Sequence, residues 1–192
     1  MAEHEHDAAV LWRNISRPGH ESAYIHHDGS LWHLKGTAVF LAERDACCLG
    51  YSIVCDSRWR TRACHVDGWI GRRHVDVRIS VRPDGRWERN DDIIAGVDAA
   101  TDIDLNFSPS TNLLPIRRLN LAVGESADVK AAWLRFPSMR VELLEQTYTR
   151  TAENRYLYRS RGGAFTAELT VDQAGFVVMY PGGWEALTET VP

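Results

Sequence analysis

No window of this 192-residue chain approaches the apolar length that spans a bilayer, which argues against a transmembrane segment. The opening stretch Met1–Asp7, MAEHEHD, lacks a basic start and an apolar run, so no secretory signal is expected and the chain is placed in the cytoplasm. There is no basic excess either. The net charge is −4 and the isoelectric point about 6.1. That excludes a general nucleic-acid binder and gives no electrostatic pull towards an anionic membrane. The strong catalytic signatures are missing: no Gly-x-Ser-x-Gly elbow, no P-loop, no His-Glu-x-x-His, no Gly-x-Gly-x-x-Gly and no Cys-x-x-Cys. Cysteine is sparse. Cys47, Cys48, Cys55 and Cys64 are expected as free, mostly buried thiols, since adjacent cysteines bridge only with strain and a reducing compartment disfavours disulfides. His4-x-His6 falls in a tail expected to be disordered, and His26-His27 in an expected turn. Both read as surface polar groups, so no metal and no cofactor is expected.

What is present is alternation. At 44% hydrophobic and 25% charged residues, the composition is that of a globular protein, and residues 1–192 are expected to form a single domain with 1–7 as a tail. Ala8–Ser30 shows no clear period and is expected to be an irregular lead-in with a strand near Val10–Arg13. Gly36–Glu43 reads as a strand, Arg44–Cys48 as a connection, and Leu49–Asp56 as a strand with Leu49, Tyr51, Ile53 and Cys55 inward. Arg58–Asp67 alternates Arg58, Arg60 and Arg62 against Trp59, Thr61, Ala63 and His65. Arg73–Arg82 alternates Val75, Val77, Ile79 and Val81 against polar residues, then turns at Pro83-Asp84-Gly85. Asn90–Ala100 reads as a loop. Val129–Phe136, Val141–Arg150, Asn154–Ser160, Ala164–Val171 and Gly175–Tyr180 complete a run of short strands, with Phe165 expected to be buried. The expected class is all-β, with an open curved antiparallel sheet and one short helix.

That helix belongs to the most informative stretch, Thr101–Leu121. Ile103, Leu105 and Phe107 alternate with Asp102, Asp104 and Asn106; a Ser/Pro/Thr/Asn turn follows. Asn112 is then suited to cap a helix, with Pro115 at its first position. Asp102 and Asp104 lie about 6.5–7 Å apart on one strand face, a spacing that suits paired acid–base work. A solvated face, or ion pairs with Arg117 and Arg118, is the preferred reading. Adjacent helical residues point about 100° apart, so only one of the two arginines faces a pocket easily. Seven Trp and six Tyr supply flat apolar bodies with polar edges, the surface on which a sugar face stacks.

The run Thr111-Asn112-Leu113-Leu114-Pro115-Ile116-Arg117-Arg118-Leu119, preceded by Asp102-x-Asp104-Leu105, resembles the signature of the bacterial glycolipid-binding family once known as a domain of unknown function. Gln146-x-Tyr148-Thr149, Tyr156-x-Tyr158, Phe165-x-Ala167-x-Leu169-x-Val171-Asp172 and Tyr180-Pro181-Gly182 match in order, from about Gly36 to about Leu187. The resemblance implies a spiral β-roll whose concave side holds an elongated cavity for an amphipathic glycolipid or lipid. Asn112, Arg117, Gln146, Tyr148, Tyr156 and Tyr158, with Asp104 and Trp59, are the candidate ligand contacts. Met179 stands where the family often has an acidic residue, which removes an ionic role there. The competing readings are a hydrolase or isomerase using Asp102 and Asp104 with a nearby His or Arg in the same hollow, and an interaction module whose cavity is filled by its own side chains.

Overall fold

The structure, a computed structural model, describes residues 7–187. His4, His6 and most of the expected tail lie outside them. Among the described residues, fifteen strands form one sheet. From Ala8–Asn14 (β1) the chain meanders outwards through Gly19–His27 (β2), Trp32–Ala42 (β3), Asp45–Cys55 (β4), Thr61–Ile70 (β5), Arg73–Val81 (β6), Trp87–Arg89 (β7) and Asp92–Ile93 (β8). A second meander runs back through Asp102–Leu105 (β9), Ser126–Arg135 (β10), Arg140–Ala152 (β11), Arg155–Ser160 (β12), Phe165–Val171 (β13), Val177–Tyr180 (β14) and Trp184–Ala186 (β15). The last strand pairs with the first, Trp12 opposite Ala186 and Asn14 opposite Trp184. Trp12 Nε1 reinforces this seam by donating to the Val177 carbonyl at 2.6 Å. The sheet is thus open, with β8 and β9 at its two flanks.

Every pair is antiparallel except β9 and β10, which run parallel. Parallel neighbours need a crossover, and the helix Leu113–Leu119 (α1) supplies it. Asn120 ends α1 in the left-handed conformation (φ 43°), which asparagine tolerates better than most residues. Pro115 stands third in the helix rather than first, and the Asn112 side chain makes no capping bond.

The flank strand β9 curls inwards until it meets β5. Ile103 N–H donates to Thr61 Oγ1 at 3.0 Å, and Thr61 N–H to the Thr101 carbonyl at 3.2 Å. Leu105 N–H is satisfied by Thr111 Oγ1 at 3.2 Å. Two threonine hydroxyls therefore occupy an edge that would otherwise bury unpaired donors.

Several expected boundaries change. Residues 8–30 hold two regular strands. Their pattern is masked because β2 points Glu21 inwards beside Ala23 and Ile25, while Tyr24 faces out. The expected connection Arg44–Cys48 lies largely within β4, with Cys47 buried. His26 and His27 end β2 rather than forming a turn. Strand β5 starts later and runs further than expected. Its register slips at Arg62, Cys55 pairing with Thr61 but Val54 with Ala63. This bulge moves the inward set to Cys64 and Val66 and leaves His65 outside. Phe165 is 40% exposed, not core. The closing strand β15 was hidden by the Pro-Gly-Gly before it.

Leu113 and Leu114 of α1 are completely buried within the roll. The expected elongated cavity is therefore filled by the helix, and separate clefts remain at its two ends.

Candidate functional site

In a meander, successive hairpin turns fall on alternate rims of the sheet. The turns after β1, β3, β12 and β14, and the loop after β9, share one rim. Those after β2, β4, β11 and β13 share the other. Helix α1 runs from the first rim to the second, so Asn112 belongs to one cleft and Arg117 to the other.

The first-rim cleft measures about 350 Å³ and is lined by Asp104, Asn106, Asn112, Trp133, Tyr158, Phe165 and Tyr180, among others. Asp104 comes from β9, Gln146 from β11 and Tyr158 from β12. The Gln146 amide donates one hydrogen to Asp104 Oδ2 at 2.6 Å and one to the Tyr158 hydroxyl at 3.0 Å. Asn112 Nδ2 donates to the Tyr148 hydroxyl at 2.8 Å. All but Asp104 of these side chains are buried; Gln146 and Tyr148 do not line the cleft, so they position Asp104, Tyr158 and Asn112 from behind. Burial pushes the Asp104 carboxyl up to about 6; the Gln146 bond offsets part of this. Tyr158, Phe165 and Tyr180 form a ring cluster with centroids 6.0–6.4 Å apart, and Phe165 stands at its open end.

Asp102 does not share this role. Arg118 grips both of its carboxylate oxygens, at 3.1 and 2.6 Å, in a pair where Asp102 is 1% exposed. Burial pushes this carboxyl up and the guanidinium draws it back. The two aspartates are therefore not an equivalent pair. One is spent on an ion pair and the other opens to a cleft.

Sequence inspection missed Glu21. This wholly buried side chain accepts from the Tyr51 hydroxyl at 2.6 Å and from the Ser108 hydroxyl, and Ser108 and Ser110 hydroxyls lie 2.7 Å apart. Its second oxygen has no partner. Burial raises its pKa to about 8, so the carboxyl is mostly protonated at neutral pH. The network pins the Ser108–Asn112 loop, which forms one wall of the cleft. A Cβ at Gly36 would lie 2.3 Å from the Tyr51 hydroxyl, so only glycine there leaves Tyr51 room to reach Glu21. The available signal was an acidic residue at the inward phase of Glu21-x-Ala23-x-Ile25.

The second-rim cleft is larger, about 1000 Å³, and carries Trp59, Arg117 and Tyr156. The Arg117 guanidinium lies over Trp59, 5.1 Å from the ring centroid, and Trp59 stacks on Trp32 at 4.2 Å. The eight candidate contacts thus divide. Asp104, Asn112, Gln146, Tyr148 and Tyr158 come together at one rim, and Trp59, Arg117 and Tyr156 at the other.

No group of three or more His, Cys, Asp or Glu side chains among the described residues is placed to hold a metal ion. No helix among them is long and apolar enough to cross a membrane.

Comparison with known proteins is consistent with this architecture. A family described as "Putative glycolipid-binding" matches residues 9–186. A crystal structure of a DUF1089 family protein from Pseudomonas aeruginosa is similar, with a TM-score of 0.75 and 29% identity, covering 92% of this chain and 95% of that one. No curated protein matches.

Proposed function

Because the chain belongs to the glycolipid-binding family, matched over residues 9–186, we propose that it binds an amphipathic glycolipid and takes the sugar head group into the Asp104 cleft. One observation carries this. A hydrogen-bonded row, Asp104–Gln146–Tyr158, shares the cleft with a cluster of aromatic rings. Sugar C–H faces stack on such rings, while ring hydroxyls donate to the Asp104 carboxylate and bond Asn106 and Asn112. At about 350 Å³ the cleft is near the lower end of small-molecule pockets. It suits a head group rather than an acyl chain, and the chain passes out over half-exposed Phe165. Apolar contact there contributes roughly 25 cal/mol per Å² before binding costs. Four unpaired cysteines support a reducing, cytoplasmic setting.

The hydrolase or isomerase alternative needs Asp102 and Asp104 as a pair, and Asp102 is committed to Arg118. The test is calorimetric titration of octyl glucoside below its micellar concentration. Asp104→Asn and Tyr158→Ala should each weaken binding by about tenfold, the worth of one charge-assisted hydrogen bond or one stacked ring. Wild-type affinity should fall as pH drops through about 6, where Asp104 gains its proton. Equal affinity for octanol, or indifference to both substitutions, would remove the proposal.

A further inference from the structure

The second-rim cleft has features the glycolipid reading does not use. Its centre is Arg117. The guanidinium rests on Trp59, and among the described residues it makes no hydrogen bond or close ion pair, though where burial pushes the Asp172 carboxyl up its charge draws that carboxyl back down. Its neighbour Arg118 is fully committed to Asp102, so the Arg-Arg pair is split between a structural and an uncommitted cation. Arg150, the other guanidinium in the cleft, spends its donors on the carbonyls of Leu121 and Glu153. The platform beneath Arg117 is maintained against backbone preference. Trp59 has φ 64°, a left-handed conformation unusual for a bulky residue. The Asp56 carboxylate holds it there by accepting from Arg58 and Arg60 N–H, both at 2.9 Å. Strain of this kind at the wall of a cleft points to use of the side chain it displays.

Around this cation the cleft presents Asn120, Asn154, Gln173 and the Tyr156 phenol. None of these side-chain heads has a hydrogen-bond partner among the described residues. Amides and a phenol beside an aromatic platform suit a polyol. The charges also limit the ligand. Arg117 is the guanidinium in the cleft whose donors are not spent on the protein, so a planar monoanion matches its fork, whereas a dianion would add a second negative charge to a wall where Glu153 and Asp172 already offset the two arginines.

We propose that the Arg117 cleft is a second binding site, independent of the Asp104 cleft, for a sugar acid: a polyhydroxylated ligand whose single carboxylate pairs with Arg117 over Trp59. The site stands on its own residues at the opposite rim, separated from the first by the buried leucines of α1.

The test is titration of the full chain with glucuronate, glucose and glucose 1-phosphate, read by calorimetry and tryptophan fluorescence. Glucuronate should bind saturably and more tightly than the other two. Arg117→Met should weaken it by about tenfold or more, with Arg117→Lys, which keeps the charge but loses the fork, falling between. Asp104→Asn should leave glucuronate affinity unchanged. Circular dichroism of each variant separates lost binding from lost fold, and Arg117→Lys serves if Arg117→Met does not fold. Equal affinity for glucose, tighter binding of the phosphate, no saturable binding, or loss on Asp104→Asn with retention in the Arg117 variants would each overturn the proposal.

Discussion

Arg118 and Asp102 show how one residue pair removes an apparent catalytic motif. Asp102 is buried, so losing its partner leaves a charge without compensation. Arg118→Ala should cost about 3–5 kcal/mol in urea unfolding, and much of that should return in the Arg118→Met/Asp102→Asn double variant. Glu21 gives a different signal. Its folded pKa, about 8, lies above the ordinary value of 4.5, so the native state binds more protons than the unfolded chain between those values. Stability should therefore fall as pH rises from about 4.5 to 8. Glu21→Gln removes the ionisable group and should flatten that slope, with its largest relative gain at pH 8 and above; urea melts at pH 5 and 9 measure it. Residue identity was legible at these positions, but partnership was not. Asp102 and Asp104 look alike two positions apart on a strand. Only the approach of α1 gives Arg118 to one and leaves the other to Gln146.

Helix α1 has seven residues, too few to persist alone in water. Packing sustains it, through Leu113, Leu114 and Ile116. Leu114→Ala should cost about 2–5 kcal/mol by urea unfolding, because the surrounding strands cannot collapse far into the gap. Its local signals, Asn112 and Pro115, indicated a helix correctly but not its internal positions. The helix begins after a short 3-10 turn, Ser110–Asn112, that the sequence does not announce. Strand legibility followed the same logic. Clean alternation exposed β6, whereas Glu21 disguised β2 and the bulge at Arg62 inverted the reading of β5. Alternation assigns faces only while each strand residue has one partner.

On the scale of the whole molecule, the seam between β1 and β15 joins two meanders into one ladder. A chain ending at Tyr180 loses β15 and leaves β1 and β14 as open edges. It should unfold at lower urea concentration and form larger species on size exclusion, as unprotected edges do. The sequence by itself determined the all-β class, the strand-rich meander, the short helix and the motif that marks the family, because alternation, turn chemistry and residue order are local properties of the chain. Only the tertiary structure decided that the hollow is occupied by α1 and that the candidate contacts divide between two rims. Period-2 patterning tells which face a side chain takes. It carries no information about strand order, about where the sheet curls back on itself, or about which end of the roll a given turn will reach.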